Sequence, residues 1–136
     1  MNAVPMRWIA LALCSLGLAL HLYTVIFRTS SGAGWPAVVL LLVSLLPYGV
    51  AATLASRPRW VVPATGAALA CLATDLFVHY AVFVNPASST AAIGLVVTPV
   101  WNLLVVGPAG AVVAWLAYML WRRNFAQTAQ VQRKAQ

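Results

Sequence analysis

Residues 35–55 read WPAVVLLLVSLLPYGVAATLA, without one charged side chain, and SRPRW (56–60) follows at once. A hydrocarbon core about 30 Å thick is crossed by roughly 20 apolar residues in a helix, so this stretch reads as a transmembrane span. The turn behind it closes the span. Pro58 cannot continue the helix, and Arg57 and Arg59 belong at the headgroups.

The same pattern recurs on both sides. Upstream, the apolar run at 8–27 forms a first span and ends in the polar, glycine-containing RTSSGAGWP (28–36). Its length exceeds a signal-peptide core, and the bulky Leu13 before Cys14 disfavours a lipoprotein cleavage site, so an uncleaved span is expected. Downstream, residues 60–84 form a third span, with Pro63 tolerable in its first turn. A fourth is expected at 99–121, started by Thr98 as a cap and Pro99 at the first helical position. Between them NPASSTAAIGLVV (85–97) carries no charge and is too short to cross, which suggests an interfacial or re-entrant segment. Residues 122–136 form a basic, polar tail. The fold class is therefore all-α, an integral membrane four-helix transmembrane bundle.

Composition agrees. Of 136 residues 63% are hydrophobic and 7% charged, where soluble domains carry about 25% charged residues. A net charge of +7 would suggest nucleic acid in a soluble protein. Here the cations flank the spans, so lipid headgroups and topology explain them and no nucleic-acid partner is expected. Arg7, Arg57, Arg59, Arg122, Arg123, Arg133 and Lys134 fall on one side and Arg28 alone on the other, which places both termini in the cytoplasm and suggests a bacterial inner membrane. Trp8, Trp35, Trp60 and Trp121 lie at span ends, the depth that indole side chains prefer.

The one acidic residue, Asp75, lies inside the third span in CLATDLFVHY (71–80). An aspartate near the centre of a membrane helix costs roughly 2.5–3.5 kcal/mol on insertion scales, so it demands protonation or a partner. At 100° per residue Ala64, Ala68, Cys71, Asp75 and His79 share one side of the helix, which points Asp75 into the bundle. In the first span Ala10, Cys14, Gly17, His21 and Arg28 fall near one face. Counted from the tryptophans, His21 and Asp75 differ in depth by about 3 Å, and His79 lies roughly 6 Å further out than Asp75. Asp75, His21, His79 and Arg28 are thus expected to form a polar cluster. Tyr48, which shares a face of the second span with Ser44, Ala51 and Ala55, and Asn102, which shares one of the fourth with Thr98, are its further candidates.

Other chemistries find little support. There is no P-loop, no G-x-S-x-G, no H-E-x-x-H and no dinucleotide fingerprint, and one carboxylate cannot supply paired acids. Catalysis is not expected. Haem ligation by His21 and His79 is disfavoured by a height difference of about 9 Å and by the lack of an attachment sequence. Cys14 and Cys71 read as small buried hydrophobes, so neither a metal nor any other cofactor is expected. GPAG (107–110) should kink the fourth span. Small residues such as Gly66, Ala67, Ala70 and Ala73 offer a face for self-association or for a larger membrane partner. Two function classes follow. One is movement of a proton, ion or small solute past the Asp–His cluster. The other is a non-catalytic accessory or assembly subunit in which the cluster only sets helix packing.

Overall fold

The computed structural model describes residues 3–27, 34–85 and 91–134, with side-chain surroundings over 4–27, 34–85 and 93–124. Among the described residues there is no strand. Helix α1 spans Ala3–Phe27, α2 Trp35–Ala55 and α3 Val61–Phe83, with a 3-10 turn at Pro58–Trp60. The fourth helix comprises α4, Ala91–Trp101, a π-helical turn at Asn102–Val106, and α5, Gly107–Lys134. Four stretches, Val4–Phe27, Trp35–Ala55, Pro58–Phe83 and Ile93–Asn124, are long and apolar enough to cross a membrane, with mean hydropathies of 2.1, 2.2, 1.7 and 2.0. The chain is a multi-pass membrane protein. Large apolar side chains such as Leu16, Phe77 and Leu104 are more than half exposed, on a scale that water would not tolerate but acyl chains do.

In lipid a backbone N–H or C=O has no water to bond, so each segment must satisfy its own groups as a helix. Two of the proline positions follow from this. Pro36 occupies the start of α2, where its missing N–H is no loss, and Pro63 lies in the first turn of α3. At the far end of α3 the Val84 and Asn85 amides both bond the Tyr80 carbonyl, at 2.9 and 3.1 Å, and Pro86 then disfavours any further α-helical turn.

The fourth helix differs from its expected boundaries. It begins at Ala91 rather than at Pro99, and residues 91–97 are its opening turns rather than a separate segment. Residues 86–90 of the connection lie outside the described residues. Thr98 does not cap a helix start. Its hydroxyl bonds the Gly94 carbonyl at 2.5 Å, within the helix. Pro99 removes only one intrahelical donor, and in a membrane breaking the helix would strand several groups where the proline strands one. The effect of Pro108 is likewise absorbed. Its missing N–H and its ring disrupt an α-helical turn, and the chain widens to a π turn in which the Gly107 amide bonds the Asn102 carbonyl.

Helix α3 is the hub, packed against α1, α2, α4 and α5. Its crossing with α5 is close. A Cβ at Gly66 would collide with the Ala114 methyl and the Gly110 carbonyl, and one at Gly110 would lie 2.6 Å from both the Ala70 methyl and the Gly66 carbonyl. Close backbone approach through small residues is how membrane helices gain packing energy when no hydrophobic drive separates them from lipid. Gly66 and Ala70 therefore serve contact within the chain, and of the four small residues the sequence offered for association, Gly66, Ala67, Ala70 and Ala73, only Ala73 is exposed. At the same end Ala10 of α1, Ala55 of α2 and Ala64 of α3 pack with no exposed surface. Above them lies a core of Cys14, Tyr48, Ala51, Ala68, Cys71 and Leu72, with both thiols free.

Candidate functional site

Ala10, Cys14, Gly17 and His21 form the buried stripe of α1, and Ala64, Ala68, Cys71, Asp75 and His79 that of α3. Each repeats at three or four residues, so both stripes keep facing the same neighbour along their length. Where they meet, Asp75 is 1% exposed and bonded from every direction. Oδ2 lies 3.0 Å from Nε2 of His21 on α1 and accepts the Tyr48 hydroxyl of α2 at 2.5 Å. Oδ1 accepts Nδ2 of Asn102, on the fourth helix, at 2.8 Å. A single carboxyl group thereby ties all four helices together.

Two local features put these partners in reach. Tyr48 crosses α1 at Gly17, where a Cβ would run into its ring, so the missing side chain is the opening through which the phenol reaches Asp75. The π turn begins at Asn102 and leaves its backbone carbonyl accepting both the Gly107 amide and, at 3.7 Å, the Cys71 thiol. The Asn102 amide also reaches the Cys71 carbonyl at 3.4 Å. Its Oδ1 is buried without a hydrogen-bond partner.

His79 makes a second centre one turn along α3. Nδ1 bonds the Asp75 backbone carbonyl at 2.7 Å, and because a carbonyl only accepts, Nδ1 carries a hydrogen. Nε2 lies 2.8 Å from the Thr24 hydroxyl, whose oxygen is also 2.9 Å from the Leu20 carbonyl. Thr24 has one hydrogen to give. Directed at Leu20, it leaves Nε2 to donate, as in an imidazolium; directed at Nε2, it matches the neutral ring. Rotation of one hydroxyl thus satisfies both protonation states without moving a heavy atom. The His21 and His79 rings meet edge to face with centroids 5.6 Å apart. A cavity of ≈ 30 Å³, lined by His21, Thr24, Ser44, His79 and Leu95 among others, adjoins both. That volume suits one water, and His21, Thr24, Ser44 and His79 bring polar groups to an otherwise apolar lining. Pro99 adds to them, because without its N–H the Leu95 carbonyl lacks its usual helical donor.

Of the residues singled out in the sequence, Asp75, His21, His79, Tyr48 and Asn102 come together here; Arg28 lies outside the described residues. The imidazoles are closer than the depth count implied. That count assumed equal heights for Trp8 and Trp60, whereas packing sets the register of α1 against α3. Thr24 was missed. Its signal was its place three residues after His21, on the same face of α1. Among the described residues no three His, Cys, Asp or Glu side chains are placed to hold a metal ion. Compared with known proteins, the chain matches no family model, no curated sequence and no solved structure.

Proposed function

We propose that this protein moves a proton across a bacterial inner membrane as a small homo-oligomer, or within a larger membrane complex, through a pathway containing Asp75, His21 and His79. The observation that carries the reading is the wiring of the sole acidic side chain, buried among four helices and joined to an imidazole at 3.0 Å. An ionisable residue placed inside a membrane bundle is expensive and is a functional candidate for that reason. The Thr24 rotor beside His79 supports a proton over a larger ion or solute, since it accommodates gain and loss of hydrogen with no change of shape. The water-sized cavity lined by both histidines supports a link that direct contact does not make.

In this reading both termini are cytoplasmic, because Arg7, Arg57, Arg59, Arg122 and Arg123 flank the same ends of the spans. The protein carries out no covalent catalysis and needs no cofactor. A second reading rests on a different observation. Below the cluster, Ala10, Ala55 and Ala64 fill the interior completely, which suits an accessory subunit whose polar centre only specifies helix register.

Reconstitution into vesicles with an imposed pH difference separates the two. Transport predicts proton flux that Asp75→Asn abolishes while the helical fold persists. No flux from the unaltered protein, or flux that survives Asp75→Asn, would sink the proposal. Co-purification of a membrane partner that is lost with the same variant would then support the accessory role.

A further inference from the structure

We infer that the end of the bundle opposite His79 carries a binding site for the headgroup of an anionic phospholipid. A cleft of ≈ 280 Å³ opens there, lined among others by Met6 of α1, Arg59 of the 3-10 turn, Val62 of α3, and Trp115, Tyr118 and Arg122 of α5. About half of its wall is apolar and belongs largely to the spans, whereas its two guanidinium groups sit where the spans end. The shape is that of an amphiphile: acyl chain along Val62 and Trp115, charged head between Arg59 and Arg122.

The charge balance favours an external anion. The chain contains one acidic side chain against eight Lys and Arg, and that acid is engaged within the cluster and does not line the cleft. No side-chain carboxylate is left for either arginine. Both are exposed, so an anion from outside the chain can reach them. The guanidinium of Arg122 lies 5.8 Å from the centre of the Tyr118 ring, which holds it over the cleft with its donors free to turn toward an acceptor. The backbone that carries Arg59 is held by the 3-10 turn, in which the Trp60 amide bonds the Arg57 carbonyl at 2.9 Å. Guanidinium groups match phosphate oxygens in pairs, and basic pockets at the ends of membrane helices select anionic headgroups for that reason. Trp60, 43% exposed beside the cleft, marks the same depth. The site commits to a lipid phosphate rather than free phosphate because half of its wall is hydrocarbon.

The test is native mass spectrometry of the full chain in detergent, titrated with phosphatidylglycerol, phosphatidylcholine or inorganic phosphate. One phosphatidylglycerol per chain is expected to be retained, with phosphatidylcholine washed away and millimolar phosphate unable to compete. The double variant Arg59→Gln, Arg122→Gln should bind roughly ten-fold or more weakly, while Arg123→Gln, an exposed neighbour that does not line the cleft, stays as the unaltered protein. Val62→Trp, which fills the wall without changing charge, should weaken retention as well. Equal retention of phosphatidylcholine, displacement by inorganic phosphate, an equal loss in Arg123→Gln, or unchanged binding in either cleft variant would each overturn the assignment. None of these outcomes depends on proton flux.

Discussion

Replacing Tyr48 by phenylalanine asks whether Asp75 is an ionised hub or an ordinary polar contact. The phenol is 3% exposed and donates to Oδ2 at 2.5 Å, so the substitution keeps the ring over Gly17 and deletes one donor. A hydrogen bond to a charged acceptor contributes about 1.5–3 kcal/mol, whereas interhelical hydrogen bonds in membranes average about 0.6 kcal/mol. If the carboxylate is ionised and shared among Tyr48, His21 and Asn102, Tyr48→Phe lowers the unfolding free energy by about 2 kcal/mol, roughly thirty-fold in the equilibrium constant. Reversible unfolding in mixed micelles, with increasing dodecyl sulfate and tryptophan fluorescence as the signal, measures it. The same substitution made in an Asp75→Asn background should cost only about 0.6 kcal/mol, because the charge that strengthened the bond is gone. A loss below about 0.5 kcal/mol in the unaltered background, or equal losses in both, refutes the hub.

Other expectations use the same assay. Gly17→Ala places a methyl group against the Tyr48 ring and should cost about 1–3 kcal/mol, while Gly49→Ala, where a Cβ meets nothing within 4 Å, should be neutral or slightly stabilising. Gly110→Val forces α5 off Gly66 and Ala70 and should destabilise by at least about 1–3 kcal/mol. Pro108→Ala restores an amide and removes the cause of the π turn. Asn102 then rotates away from Asp75, and the coupling between them in a double-mutant cycle should fall below about 0.5 kcal/mol. Thr24→Val should leave folding within about 1 kcal/mol of the unaltered protein but slow proton flux in vesicles, since His79 loses its switchable partner. Unchanged flux would detach Thr24 from the pathway.

Hydropathy and charge, taken along the chain, were enough for the membrane, the helical class, the place of three spans and the inward-facing stripes. The physical reason is that a helix in lipid satisfies its own backbone, so its existence depends on local composition, and its buried face follows from a period of 3.6 residues. That reasoning brought His21 opposite Asp75, because both lie on small-residue stripes at similar distances from an interfacial tryptophan. It failed at Thr98, where a residue pattern typical of a helix start lies inside a continuous helix. A proline after a threonine starts a helix in water, whereas within a span the helix continues because ending it would strand more backbone groups than the proline does. The contacts that give the cluster its chemistry arose from packing: the Tyr48 bond through the gap at Gly17, the Asn102 bond from a π turn, and the Thr24 hydroxyl on His79. Each depends on the relative height and rotation of two helices to within about an ångström. Those quantities emerge from close approaches such as Gly66 on Gly110, a relation between distant residues that no local period encodes.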